Sequence, residues 1–195
     1  MKEFLNSYRF LQDSEIDEIA KFATTKHLKK GEYFIRQGEV CKEVAFVKSG
    51  IFRNFITSNL GEESTYCITL PNNSISSYTS YITGDATVEN IQAIANSEIF
   101  ILSKDVLDKA INESNNWMKY MKILSETEYM KLEKRVFSFV SEKAKQRYIS
   151  LLEQNPIYIQ QIPLQYLASY LGITQRHLSR LRREVMQGGQ KRNGV

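Results

Sequence analysis

The spacing of apolar residues changes from helical to strand-like along this chain and then back again. In residues 14–26, Ile16, Ile19, Ala20 and Ala23 follow a capping Ser14, which predicts a short helix. From about Leu28 to Leu102 the apolar runs become short and rich in β-branched and aromatic residues. GEYFI, EVAFVKSG, IFRNFITSN and ESTYCITL read as strands punctuated by Gly31, Gly38, Gly50 and Gly61. ENIQAIANSEIFILS reads as two further strands around NSE. Many short strands at regular spacing predict a sandwich or barrel.

From Lys104 to about Glu153 the pattern is helical, with no glycine or proline before Pro156. Tyr120, Ile123, Thr127 and Met130 recur at alternating spacings of three and four, beside a stripe of Trp117, Met121 and Leu124. So wide a face suits a dimer seam at Trp117, Tyr120, Met121, Leu124 and Met130. Packing on the chain's own β region explains the same stripe nearly as well, since Thr127 and Lys134 interrupt the seam. RYISLLEQNP predicts a separate helix ending before Pro156.

The stretch YLASYLGITQRHLSRLRREV, Tyr166 to Val185, is the most informative. Pro163 suits the first position of a helix whose buried face is Leu164, Leu167, Ala168 and Leu171. Gly172 stands where a tight turn needs positive φ, and Thr174 is a good N-cap for a second helix. On that second helix Leu178, Leu181 and Val185 share a face. Ala168, four residues before Gly172, leaves room for two helices to cross steeply, so the segment reads as a helix-turn-helix. The opposite face carries Gln175, Arg176, Ser179, Arg180 and Arg183. Such a face fits the major groove, where arginine can pair with guanine and glutamine with adenine.

Charge strengthens this reading. The chain has a formal net charge of +4. From Pro163 onward Arg176, Arg180, Arg182, Arg183, Lys191 and Arg192 face only Glu184, so residues 1–162 sum to −1. A polyanion-binding face requires such a concentrated positive field, although a solvated basic tail explains the charge alone equally well. Composition adds mostly exclusions. No apolar run approaches the roughly 18 residues of a membrane span, and the N-terminus lacks a signal-peptide core. Cys41 and Cys67 are isolated, which argues against a zinc cassette and for free thiols in a reducing cytoplasm. No metal site or cofactor is expected.

The order of parts resembles the CRP/FNR family of bacterial transcription regulators over nearly the full length. KKGEYFIRQGEV and VAFVKSGIFRNF resemble its cyclic-nucleotide-binding-like jelly roll, and IPLQYLASYLGITQRHLSRLRREV is similar to its DNA-binding element. The resemblance implies an α+β chain: a β jelly roll with flanking helices over residues 1–112, a long dimerisation helix over 113–140, and a helix-turn-helix domain over 141–195. It places Gln175, Arg176 and Arg180 at base-reading positions, with Gln165, Thr174 and Ser179 as phosphate or positioning contacts. Arg183 is expected to add affinity through phosphate. It further implies a homodimer on a pseudo-palindromic double-stranded operator, with RNA polymerase as a further partner, and no membrane.

Three departures limit the resemblance. Members that bind cyclic AMP hold its phosphate with a Gly-Glu pair and an arginine followed by a small hydroxyl residue. Here Ser76 and Ser77 stand at the first pair, and Thr87 and Val88 at the second. A buried phosphate without an arginine is costly, so tight cyclic AMP binding is not expected. An effector bound near Ser76, Ser77, Tyr78, Thr87 and Val88 would be hydrophobic or weakly polar. Two scattered cysteines with only His27 and His177 supply neither an iron–sulfur cluster nor a convincing haem ligand set. Finally, MQGGQKRNGV is short and glycine-rich for the family's β-hairpin wing, leaving Lys191 and Arg192 to replace its phosphate contacts.

Two other classes compete. An enzyme on a cupin-like barrel needs clustered histidine and carboxylate ligands, and the β region has no histidine after His27. A module that senses a cyclic-nucleotide-like effector and regulates another protein leaves the basic helix unexplained. The expectation is therefore a non-enzymatic, cytoplasmic DNA-binding regulator.

Overall fold

The computed structural model describes residues 1–7 and 9–190. The chain opens with α1 (Lys2–Asn6) and α2 (Asp13–Ala20), followed by β1 (Thr24–Leu28), β2 (Tyr33–Ile35), β3 (Glu43–Ser49), β4 (Phe52–Thr57), β5 (Glu63–Thr69) and β6 (Ser74–Ile75). Next come α3 (Tyr78–Thr83), β7 (Asn90–Ala93), β8 (Ser97–Ser103), α4 (Lys104–Glu113) and α5 (Asn115–Ser141). The C-terminal part holds α6 (Ala144–Gln154), α7 (Pro156–Gln161), α8 (Leu164–Leu171) and α9 (Gln175–Gln190).

The strands form two antiparallel sheets, ordered β1-β8-β3-β6 and β2-β7-β4-β5, which face each other as a sandwich. Alternation along the strands supplies the interior: Ala45, Val47, Phe52, Ile91, Ile99 and Leu102 are buried. Leu5, Ile16 and Ile19 of the first two helices close one side of this core. At Gly50 the backbone takes φ 93° between β3 and β4, and a Cβ there would meet the Cα of Ser97 at 2.6 Å. Only glycine fits that close approach.

The first helix expected from sequence ends earlier than its pattern suggests. It begins after Gln12, whose side chain forms a capping box with Glu15, and stops at Ala20. Ala23 lies beyond it, and Thr24–Leu28 is instead a strand paired with β8 from Thr24↔Ile101 to Leu28↔Ser97. Two adjacent β-branched threonines and a ready partner strand outweigh the helical spacing. Pro163 caps α8 from outside rather than starting it, and Pro156 opens the short α7.

Ser114 divides the long helical region. Its Oγ accepts hydrogen bonds from the N–H groups of Asn116 and Trp117, so α5 begins as a new helix of 27 residues and about 40 Å. Trp117 and Tyr120, expected at a dimer seam, are 3% and 1% exposed and belong to the sandwich core. Their rings pack edge-to-face at 5.7 Å. Met121 and Leu124 pack against the same cluster, whereas Met130 is exposed. The N-terminal half of the stripe is therefore spent inside the chain.

A second core joins the outer side of the β4–β5 sheet to the C-terminal helices. Ile51, Ile68 and Ile94 pack with Tyr148, Leu151, Ile162, Leu167, Leu171, Leu178 and Leu181. No helix among the described residues is long and apolar enough to cross a membrane.

Candidate nucleic-acid interface and effector groove

The turn between α8 and α9 is set by backbone chemistry. Gly172 adopts a left-handed conformation (φ 68°, ψ 35°). Its N–H donates to the carbonyl of Ser169, and the N–H of Ile173 donates to that of Ala168, both at 3.0 Å. This double bond pattern is a Schellman motif, which satisfies carbonyls left open at a helix end. Thr174 then caps α9 by accepting the N–H of His177 at 3.2 Å. Ala168, Leu178 and Leu181 are buried where the helices cross, as the spacing predicts.

With that face buried, α9 presents Gln175, Arg176, Arg180 and Arg183 to solvent, and Thr174 beside them is exposed. Ser179 is half-buried. Arg180 lies 3.7 Å from Glu184 in a solvent-exposed pair, which constrains it little. Arg182 turns the other way and donates to the carbonyl of Ile159 at 3.3 Å, so it belongs to the packing of α7. Gln165 is exposed on α8 but sits apart, at a crevice shared with Arg53, Glu63 and Gln92. The side chains beyond Val185, with Lys191 and Arg192 of the expected wing substitute, lie outside the described residues. The backbone of α9 continues as helix to Gln190.

Two arginines not singled out in the sequence hold this hairpin in place. Arg135 of α5 donates to the carbonyl of Tyr170 at 2.7 Å and stacks on its ring at 3.9 Å. Arg147 of α6 donates to the carbonyl of Leu171 at 3.1 Å. Cations at a helix C-terminus satisfy open carbonyls and complement the dipole. Neither has a local signal, because each acts across more than 20 positions of the chain.

The hairpin also bonds directly to the sandwich. Ser169 accepts the N–H of Thr65 at 2.8 Å and donates to the carbonyl of Glu63 at 3.1 Å. Tyr158 of α7 donates to the carbonyl of Ile68 at 2.9 Å. Arg53, almost wholly buried, stacks on Tyr166 at 4.0 Å while donating to Glu63 and Gln92.

On the other side of β5, a groove of about 1150 Å³ separates the sandwich from α5. Ser77 and Thr87 are buried away from its lining, with their hydroxyls facing each other at 2.7 Å. Ser76 donates to the carbonyl of Glu43. Tyr78 spans the groove to Ser125 of α5 at 3.0 Å, and Val88 points into solvent. Deeper in the groove stand Asn54, Tyr66, Cys67 and Glu89, none of them expected from sequence. Burial, and then the carboxylate of Glu89, push the Tyr66 phenol above its ordinary range, so it remains a proton donor. Burial likewise raises Cys67 and keeps it a thiol.

Residues 25–114 match the cyclic nucleotide-binding domain family. No curated protein sequence matches the chain. Among solved structures, FixK2 from Bradyrhizobium japonicum shares the fold at a TM-score of 0.75 and 17% identity, covering 86% of each chain. A putative transcriptional regulator of the CRP/FNR family from Eubacterium rectale aligns at 0.72 and 20% identity, over 96% of this chain and 89% of its own. The c-di-GMP-responsive global regulator CLP, linked to virulence gene expression in Xanthomonas campestris, aligns at 0.73 and 11% identity, over 91% and 93%. The chain therefore joins a β-sandwich, similar over residues 25–114 to the cyclic nucleotide-binding domain, to a long helix, in a fold shared with solved CRP/FNR-type regulators.

Proposed function

We propose that this chain is a sequence-specific, non-enzymatic DNA-binding transcription regulator that acts as a homodimer and does not depend on cyclic AMP. The observation carrying the proposal is α9 itself. One face is locked by Leu178 and Leu181, and the other offers Gln175, Arg176, Arg180 and Arg183 to solvent after a glycine turn. Together α8 and α9 have the arrangement of a helix-turn-helix, whose second helix enters the major groove. Gln175, Arg176 and Arg180 are the base-reading residues, while Thr174, Ser179 and Arg183 contact the backbone. Gln165 reaches a phosphate only at the hairpin's flank.

The dimer seam uses the distal half of α5. Tyr129, Leu132, Val136 and Val140 recur at helical spacing and are all exposed, beside Met130 and Phe137. Such a stripe on a long helix is what a second copy of the same helix covers. Leu132→Glu combined with Val136→Glu is expected to leave a folded monomer. Analytical ultracentrifugation checks this; a dimer that survives both charges would place the seam elsewhere.

The hydroxyls of Ser77 and Thr87 bond each other, and neither bonds an arginine among the described residues. Isothermal titration with cyclic AMP is therefore expected to show no binding in the micromolar range. Micromolar affinity would restore nucleotide control.

The decisive experiment for DNA is selection of bound duplexes from a random pool. An enriched inverted repeat supports base reading and two-fold symmetry together. Recovery of random sequence would overturn the assignment.

A further inference from the structure

The groove beneath α5 contains a polar constellation that the DNA-binding reading does not use. β5 carries an extra residue against β4: Asn54 pairs with Cys67, Phe55 pairs with Thr65, and Tyr66 bulges between. A bulge re-aims a side chain, and this one brings the Tyr66 hydroxyl onto Oε2 of Glu89 in a short hydrogen bond. Asn54 donates its amide to the same oxygen at 2.9 Å. Residues 54, 66 and 89 thus meet on three neighbouring segments, with Glu89 8% and Asn54 7% exposed.

This arrangement leaves acceptors over. Oε1 of Glu89 accepts no hydrogen bond among the described residues, and Oδ1 of Asn54 is buried without a partner. A buried carboxylate without a cation, beside an unpaired amide oxygen, is unfavourable unless something compensates it. Among the described residues four cations line the groove, and each is engaged elsewhere: Lys134 donates to Gln154 at 3.3 Å, and Arg147 donates to the carbonyls of Glu142 and Leu171. Lys131 pairs with Glu128 at 2.7 Å, and Arg135 is held by the Tyr170 carbonyl. The facing wall of α5 supplies Met121, Leu124 and Tyr129 as apolar surface.

We propose that the groove between the sandwich and α5 binds a small organic cation of the amidinium or guanidinium type. Its N–H groups donate to Oε1 of Glu89, the carboxylate oxygen left open beside Asn54, and its apolar body lies against Met121 and Leu124. Tyr66 positions Glu89 by fixing Oε2. The site is opposite in charge to a nucleotide phosphate. It does not rest on the DNA-binding assignment, so it is tested without DNA.

Benzamidine serves as the probe, with benzamide as its neutral isostere, each titrated calorimetrically into the full-length chain. Benzamidine is expected to bind one-to-one and about tenfold or more tightly than benzamide, because a neutral amide cannot pair with the carboxylate. Glu89→Gln is expected to erase that difference. Amide nuclear magnetic resonance on the unmodified protein should show the Asn54 side-chain signals shifting with benzamidine, and this decides the matter if Glu89→Gln fails to fold. Equal affinity for the two probes overturns the proposal, as does a shift confined to other residues. So does an absence of benzamidine binding up to about 10 mM, the range of a minimal fragment contact.

Discussion

Arg180→Ala is expected to weaken binding to the selected operator by roughly 1–3 kcal/mol while leaving binding to random duplex far less affected. The guanidinium lies on the solvent face of α9, tethered among the described residues by the exposed pair with Glu184, so it is free to make two hydrogen bonds to a guanine edge. Losing those bonds removes discrimination as well as affinity, and competition assays with operator and random DNA separate the two. Equal losses on both sequences would sink the base-reading role. Arg183→Ala provides the contrast. A phosphate contact weakens all sequences alike and lowers the slope of log affinity against log salt by about one. Arg182 is the internal control, since it is bonded to Ile159 and should alter stability rather than sequence preference.

Gly50→Ala should have the largest effect on stability, a loss of about 3 kcal/mol or more in denaturant unfolding. Two costs coincide there. The backbone holds φ 93°, which alanine adopts only with strain, and the new methyl group would collide with the Cα of Ser97 at 2.6 Å. Backbone cannot swing aside as a side chain can. Ser97→Gly should therefore rescue only part of the loss, because its Cα remains in place. Gly172→Ala offers the milder comparison: its methyl group would meet the outer ring carbon of Phe139, a partly exposed side chain able to move. A Gly50→Ala loss no greater than that of Gly172→Ala would show that β8 yields at Ser97.

What could be read from the sequence was what local chemistry decides. Gly172, Ala168 and Thr174 act within a few residues of themselves, so the hairpin and its cap were visible in the string. The strands from Tyr33 to Thr69 were visible because β-branched runs and glycine turns alternate there. β1 was not, since only Leu28 of its five residues is buried and its partners on β8, from Ile101 for Thr24 to Ser97 for Leu28, lie far along the chain. The apolar stripe of α5 was legible as a stripe, but helical spacing cannot say which body covers it. Trp117 and Tyr120 went to the chain's own core, leaving Tyr129, Leu132, Val136 and Val140 open. The Asn54–Tyr66–Glu89 constellation had no local signal at all. It exists only because one bulge shifts the register of β5.

The same strand has a consequence on its other side. β5 is the outermost strand of its sheet, where backbone groups would ordinarily stand open to a foreign strand. Here Ser169 takes the Thr65 N–H and serves the Glu63 carbonyl, and Tyr158 serves Ile68, so helical side chains stand in for the missing neighbouring strand. The C-terminal helices thereby shield the sheet against edge-to-edge self-association. Any movement that lifts them away must uncover a ready template for strand pairing, so the hairpin's freedom to reorient is bounded by the solubility of the sheet beneath it.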